Sequence, residues 1–284
     1  METTNNPNTN WRVSLSDGLV IPALPLTLDG NGDWSRRHQQ AVMRYYIDAG
    51  AGGIAAGVHS TQFEIRNPEH ALFEPVLRLM AEAMDRWAPA DFVRIAGICG
   101  GTDQARHEAS LAAETGYHAG LLSLAAFSDQ PEEAAISHAQ SIAKLLPIVG
   151  FYLQPAVGGR VFSYDFWRRF CEIEDVVAIK IAPFNRYQTW DVIRAVIESG
   201  RENITLYTGN DDNIIADLLT PFVCNGQTRF IHGGLLGQWG VWTRQAVEML
   251  EEINTARSGK TIAADWLTRN DLEAQIEAFV DHYN

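Results

Sequence analysis

Short apolar runs alternate with amphipathic segments along most of the chain. GLVIPALPLTLDG (18–30) reads as a strand ending in a turn. A helix follows from Asp33 to Gly50, with Ala41, Val42, Tyr45, Tyr46 and Ile47 on one face. Further strands are expected at 52–58, 92–100, 119–127, 148–154, 176–182, 204–210 and 228–234. Between and after them the pattern predicts helices over 67–87, 102–115, 131–146, 163–171, 187–199, 212–223 and 239–256. The strands are apolar throughout rather than alternating, as parallel strands covered on both faces are. Eight such units predict an α/β fold, a (β/α)8 TIM barrel over 16–258. A flexible polar arm is expected over 1–15 and a helical extension over 259–284. An open doubly wound sheet fits less well, because no G-x-G-x-x-G follows the first strand.

Composition narrows the class of function. The chain has 284 residues, is 46% hydrophobic and carries a formal charge of −13. That balance disfavours nucleic acid or an anionic membrane surface as partner. Cys99, Cys171 and Cys224 lie far apart without C-x-x-C spacing, against both a disulfide framework and a thiolate metal site. The N-terminal METTNNPNTN has no apolar core of a signal peptide, and no run is long enough to span a bilayer. A cytoplasmic protein is expected.

One segment breaks the apolar rule. In VVAIKIA (176–182), Lys180 sits among aliphatic neighbours, and in IVGFYLQ (148–154) Tyr152 stands in the adjacent strand. A desolvated lysine has a lowered pKa, and its neutral amine can attack a carbonyl to form an imine. The plain alternative is a lysine that extends its charge to water. Strand ends of such barrels carry the chemistry, and reading them off gives His59, Ser60, Ser128, Gln154, Gly209 and Ile231 as candidates for binding substrate. A tyrosine near an amine nucleophile can shuttle protons during imine formation. An imidazole is a side chain suited to acid–base work, so His59 is a candidate to bind or protonate substrate, with a structural histidine as the alternative. A metal site from His59, Asp211 and His232 is conceivable, but H-x-H and H-E-x-x-H are both missing, so no metal or other cofactor is expected.

These residues resemble those of the dihydrodipicolinate synthase / N-acetylneuraminate lyase family of Schiff-base aldolases. Tyr152-Leu-Gln-Pro155 and Ala178-Ile-Lys180 reproduce its two motifs, with Lys180 28 residues after Tyr152. ICGGT (98–102), YTGND (207–211), the Gly57 turn and Pro68-Glu-His70 add to the likeness, which runs from about residue 20 to 250. The resemblance implies that Lys180 forms the imine, that Tyr152 transfers protons, that the carbonyl of Ile231 lies near the imine, and that the protein is a homo-oligomer, a dimer or a tetramer. Departures are equally specific. Where pyruvate-using members carry paired hydroxyls after strand two, this chain has Gly57-Val58-His59-Ser60-Thr61. The family's second relay tyrosine falls near Ser128 and its carboxylate-binding arginine at Val157, with Arg160 three residues late.

The sequence therefore predicts a class I aldolase-type lyase acting on a small-molecule carbonyl substrate such as a 2-oxo acid, and argues against dihydrodipicolinate synthesis itself. An imine-dependent dehydratase or hydrolase of a sugar-acid-like 2-oxo compound is the enzymatic alternative. A ligand-binding barrel without turnover is the other.

Overall fold

A computed structural model describes residues 10–258. In chain order its elements are α1 (Asn10–Asp17), β1 (Val20–Pro22), α2 (Arg36–Asp48), β2 (Gly53–Ala56), α3 (Phe73–Trp87), β3 (Val93–Ile98), α4 (Thr102–Glu114), β4 (Ala119–Leu122), α5 (Glu132–Ala143) and β5 (Ile148–Leu153). Then come α6 (Tyr164–Phe170), β6 (Val176–Ala182), α7 (Arg186–Ser199), β7 (Thr205–Thr208), α8 (Ile214–Leu219), β8 (Phe222–Cys224), β9 (Gln227–Arg229), β10 (Gly233–Leu236) and α9 (Thr243–Arg257). Eight strands pair in parallel in the order β1-β10-β7-β6-β5-β4-β3-β2, and a parallel bridge between Ala23 and Ala55 brings β1 against β2. This is the expected (β/α)8 barrel.

Local chemistry sets the element ends. Ser163 caps α6 by accepting the Phe166 N–H at 3.0 Å, and Asn185 caps α7 by accepting the Tyr187 N–H at 2.9 Å. Gly200 ends α7 in the left-handed conformation. Pro22 and Pro25 remove two backbone donors, which keeps β1 far shorter than the 18–30 expected from hydropathy.

The core forms two layers. One apolar cluster fills the space between strands and helices, and a second fills the barrel. α1 plugs the N-terminal end of the barrel: Trp11 and Leu15 are buried in the inner cluster, and the Leu15 carbonyl accepts the Tyr207 hydroxyl at 2.7 Å. Residues 10–15 are therefore helix, where a flexible arm was expected.

The eighth unit also departs from expectation. Residues 222–229 form an antiparallel hairpin closed by Asn225 and Gly226, both at positive φ. Asn-Gly is the preferred sequence of such a turn. The hairpin takes Thr228 and Arg229 out of the barrel, so its eighth strand is 233–236 rather than 228–234, and α8 is correspondingly short. The helical extension expected over 259–284 lies outside the described residues.

Candidate active site

Strand β6 enters the site through an irregularity. Ile148 pairs with Val176, but Val149 pairs with Ala178, so one residue of β6 is extra at Val177. Val177 and Ala178 both belong to the inner cluster. Beyond this bulge Phe151 pairs with Lys180 and Tyr152 with Ile181. Phe151 faces the barrel interior, and Lys180 lies over it, with Nζ 4.4 Å from the ring centroid. Tyr152 and Ile181 face the opposite way, into the strand–helix layer.

Lys180 is half-buried among apolar groups near the C-terminal end of β6. Burial lowers its pKa from 10.5 to about 8, and the carboxylate of Asp211 pulls it part of the way back. Gly209, at the end of β7, leaves room for the amine's stem. A Cβ added there would stand 2.5 Å from Lys180 Cε and 2.9 Å from Ala182 Cβ. The Gly209 N–H donates to the Ile181 carbonyl at 2.8 Å, holding the two strand ends together.

The turn that follows is fastened by Asn210. Its N–H donates to Thr208 Oγ1 at 3.1 Å, its Oδ1 accepts the Phe184 N–H at 2.9 Å, and its Nδ2 donates to Asp217 Oδ2 at 2.9 Å. Buried Asp217 accepts in addition from the Thr208 hydroxyl at 2.7 Å and Arg186 at 2.6 Å. The neighbouring Asp211 is thus presented from an anchored loop. Burial raises its pKa, and the Lys180 charge opposes that rise.

The remaining expected site residues scatter. Tyr152 is fully buried, its ring centroid 4.9 Å from that of Trp167, and its oxygen accepts the Phe162 N–H at 3.3 Å. Burial pushes its phenol up to about 12. The sequence expectation that it stands beside Lys180 is corrected: height along the strands agrees, but the bulge turns the two side chains to opposite faces. Ile231 belongs to the outer core at the N-terminal end of β10, and its carbonyl accepts from Arg257. It lies at the wrong end of the barrel, because the eighth strand begins after it. His232 shares that displacement, so His59, Asp211 and His232 do not converge.

His59 is exposed at the mouth and stacks on Phe63, centroids 5.5 Å apart. Ser60 approaches Gly237, to which an added Cβ would stand 3.1 Å from its Oγ. Ser128 ends the turn 125–127, and Gln154 accepts the Val157 and Gly159 N–H groups through its carbonyl. Gly209 is the binding candidate that the structure brings against Lys180. Among the described residues no three His, Cys, Asp or Glu side chains are grouped to hold a metal, and no helix is long and apolar enough to cross a membrane.

Two residues at this level were missed in the sequence. Phe151 was passed over for its neighbour Tyr152. Ser123 is buried and continues the inward-facing series Ala119 and Leu121 at the end of β4. The alternation was visible, but the apolar run after it drew the expected strand on to residue 127.

Three comparisons bear on this barrel. A search of curated proteins finds no match. Among solved structures, the dihydrodipicolinate synthase of Acinetobacter baumannii complexed with pyruvate superposes with a TM-score of 0.69 at 18% identity, covering 85% of this chain and 76% of that one. CdNal from Clostridium difficile, in complex with mannosamine, gives 0.69 at 14% identity with the same coverages. YagE, a prophage protein from E. coli K12 in complex with pyruvate, gives 0.69 at 17% identity over 86% and 76%. At these identities the structures share the fold. The family model for the dihydrodipicolinate synthetase family matches residues 17–222. With that model matched across most of its length, the chain belongs to the dihydrodipicolinate synthetase family.

Proposed function

We propose that the protein is a Schiff-base-forming lyase that acts on a small carbonyl compound through Lys180. The observation that carries this reading is a lysine directed into the barrel at the catalytic end, against Phe151 and Gly209, with its pKa lowered to about 8 by burial. At pH 7 about one such amine in ten is neutral, against roughly one in three thousand at the ordinary lysine value. The neutral Nζ adds to the carbonyl carbon, and the carbinolamine loses water. The resulting protonated imine accepts the electron pair released when a C–C or C–O bond at the neighbouring carbon breaks.

Proton transfer falls to a group that shares the mouth with Lys180. Asp211 is the acid whose charge reaches it. Tyr152, which the family motif marks for that task, acts here as a positioning residue that packs β5 against α6.

Reduction with sodium cyanoborohydride in the presence of a carbonyl panel, followed by peptide mass mapping, tests the reading. Label is expected on Lys180 and lost in Lys180→Ala. An unlabelled Lys180, or equal label in the variant, defeats it. Product NMR then separates the lyase chemistries: a new aldehyde marks C–C cleavage, whereas loss of water alone marks dehydration.

A further inference from the structure

Adding a neutral amine to a carbonyl drives an electron pair onto the carbonyl oxygen. In a barrel interior that charge is best met by a donor fixed where it forms. Asp211 reaches Lys180 from the β7 side, and an ionised carboxylate only accepts hydrogen bonds, so it serves the amine rather than the oxygen. The other flank of Lys180 is built by β5 and β4.

On that flank the register sets three inward-facing residues in a row. Lys180 pairs with Phe151 across β6 and β5. Leu121 pairs with Val149 and Leu122 with Gly150, so the next residue of β4's chain, Ser123, comes beside Phe151. Ser123 continues the inward series Ala119 and Leu121, and its N–H donates to the Ile98 carbonyl at 2.9 Å, which carries the pairing with β3 to this point. Lys180 and Ser123 thus stand two strands apart, their backbones separated by about 10 Å. The lysine narrows that gap from its own side. Its stem passes Gly209, two residues nearer the mouth than its strand partner Tyr207, and its Nζ ends over the ring of Phe151, the residue that separates it from Ser123.

Ser123 is buried, and its Oγ accepts the Ala125 N–H at 3.4 Å. That contact orients the oxygen and leaves the hydroxyl proton to be donated. Packing alone does not ask for a serine here, since alanine, which already stands at 119 in the same series, would fill the place without burying a polar group.

We infer that Ser123 is a catalytic residue of the Lys180 reaction, its hydroxyl donating to the substrate's carbonyl oxygen while the carbonyl lies over the Phe151 ring between the two side chains. The inference rests on Lys180 forming the imine and adds the group that meets the oxygen. The step balances as follows. Nζ forms the new C–N bond, and the carbonyl π pair moves to the oxygen, which accepts the Ser123 hydrogen bond. One amine proton passes to that oxygen, and a second proton comes from solvent. The C–O bond then breaks, water leaves, and the protonated imine remains. Ser123 keeps its own proton throughout.

Timed mixing of the full-length protein with pyruvate, and in parallel with acetone, tests it. Each reaction is stopped with sodium borohydride and the adduct on Lys180 is counted by mass. Ser123→Ala is expected to lower the maximal rate of adduct formation by about a hundredfold, as the loss of one oxyanion donor does. The half-saturating concentration should stay within about threefold, because the bond is made to a charge that forms in the transition state. Ser123→Thr, which keeps the hydroxyl, should return the rate to within about tenfold of wild type. Arylation of Lys180 by 1-fluoro-2,4-dinitrobenzene, which creates no carbonyl oxyanion, should proceed within about twofold of the wild-type rate in both variants. A Ser123→Ala rate close to wild type, an equal loss in Ser123→Thr at normal arylation, or a parallel loss of arylation in Ser123→Ala overturns the role of Ser123 and leaves imine formation standing. Failure of both carbonyls to label Lys180 in the wild type instead removes the imine, and this inference with it.

Discussion

Replacing Lys180 by methionine should make the protein more stable at neutral pH while abolishing imine formation. In the folded chain the amine loses its proton above about pH 8, whereas in the unfolded chain it holds it to 10.5. Between those values the unfolded state binds more protons, so wild-type stability climbs as pH rises through the window. Below it, the folded state carries a charge that burial disfavours, at a cost of up to about 3 kcal/mol for a shift of that size. Screening of the half-exposed amine reduces this. The contact of Nζ with the Phe151 ring, 4.4 Å away, returns about 0.5–1 kcal/mol that methionine forgoes. A net gain of about 1–2 kcal/mol at pH 7 is expected, since the methionine stem still packs beside Gly209 and Ala182. Urea unfolding of both proteins at pH 7, 9 and 10.5 measures it, and other titrating groups cancel in the difference. The gap should shrink by about 1.4 kcal/mol for each pH unit above 8 until the charge penalty is gone. A methionine variant less stable at pH 7, or a gap that ignores pH, would show that Lys180 is not a desolvated amine.

Three further substitutions probe the site. Tyr152→Phe should leave labelling of Lys180 within about twofold of wild type. It should cost about 1 kcal/mol in urea unfolding, for the lost bond to the Phe162 N–H, and a collapse of labelling at full stability would return the tyrosine to the chemistry. Gly209→Ala should slow labelling by about tenfold or more and cost about 1–3 kcal/mol, because its Cβ would meet Lys180 Cε at 2.5 Å; unchanged labelling kinetics would mean that the stem does not pass there. In Asp211→Asn the lysine loses the anion that favours its charged form, so its pKa falls and the rising limb of labelling against pH moves to lower pH. A limb that stays or moves up contradicts the pairing.

The sequence by itself determined the barrel and its lysine. Parallel strands covered on both faces must be apolar along their length, so eight such runs separated by amphipathic helices have few other ways to pack. A single charge within one of those runs is conspicuous for the same reason, which made Lys180 legible without a structure. The eighth strand was misplaced although Asn225-Gly226 announced a hairpin, since the residues after it are as apolar as a strand should be.

What Lys180 faces was decided only by tertiary packing. A spacing of 28 residues continues the pairing of Ile148 with Val176 and would set Tyr152 beside Lys180. One extra residue at Val177 advances β6 by a position, puts Phe151 there instead and turns Tyr152 into the outer core. No reading of the pattern could have found that residue. Val176, Val177, Ala178 and Ile179 are all apolar, and both faces of the strand are buried, so a shift by one leaves hydrophobic side chains on each side. Strand register is marked in sequence only where the two faces meet different surroundings. Here they do not, and the fit of side chains between barrel and helices made the choice.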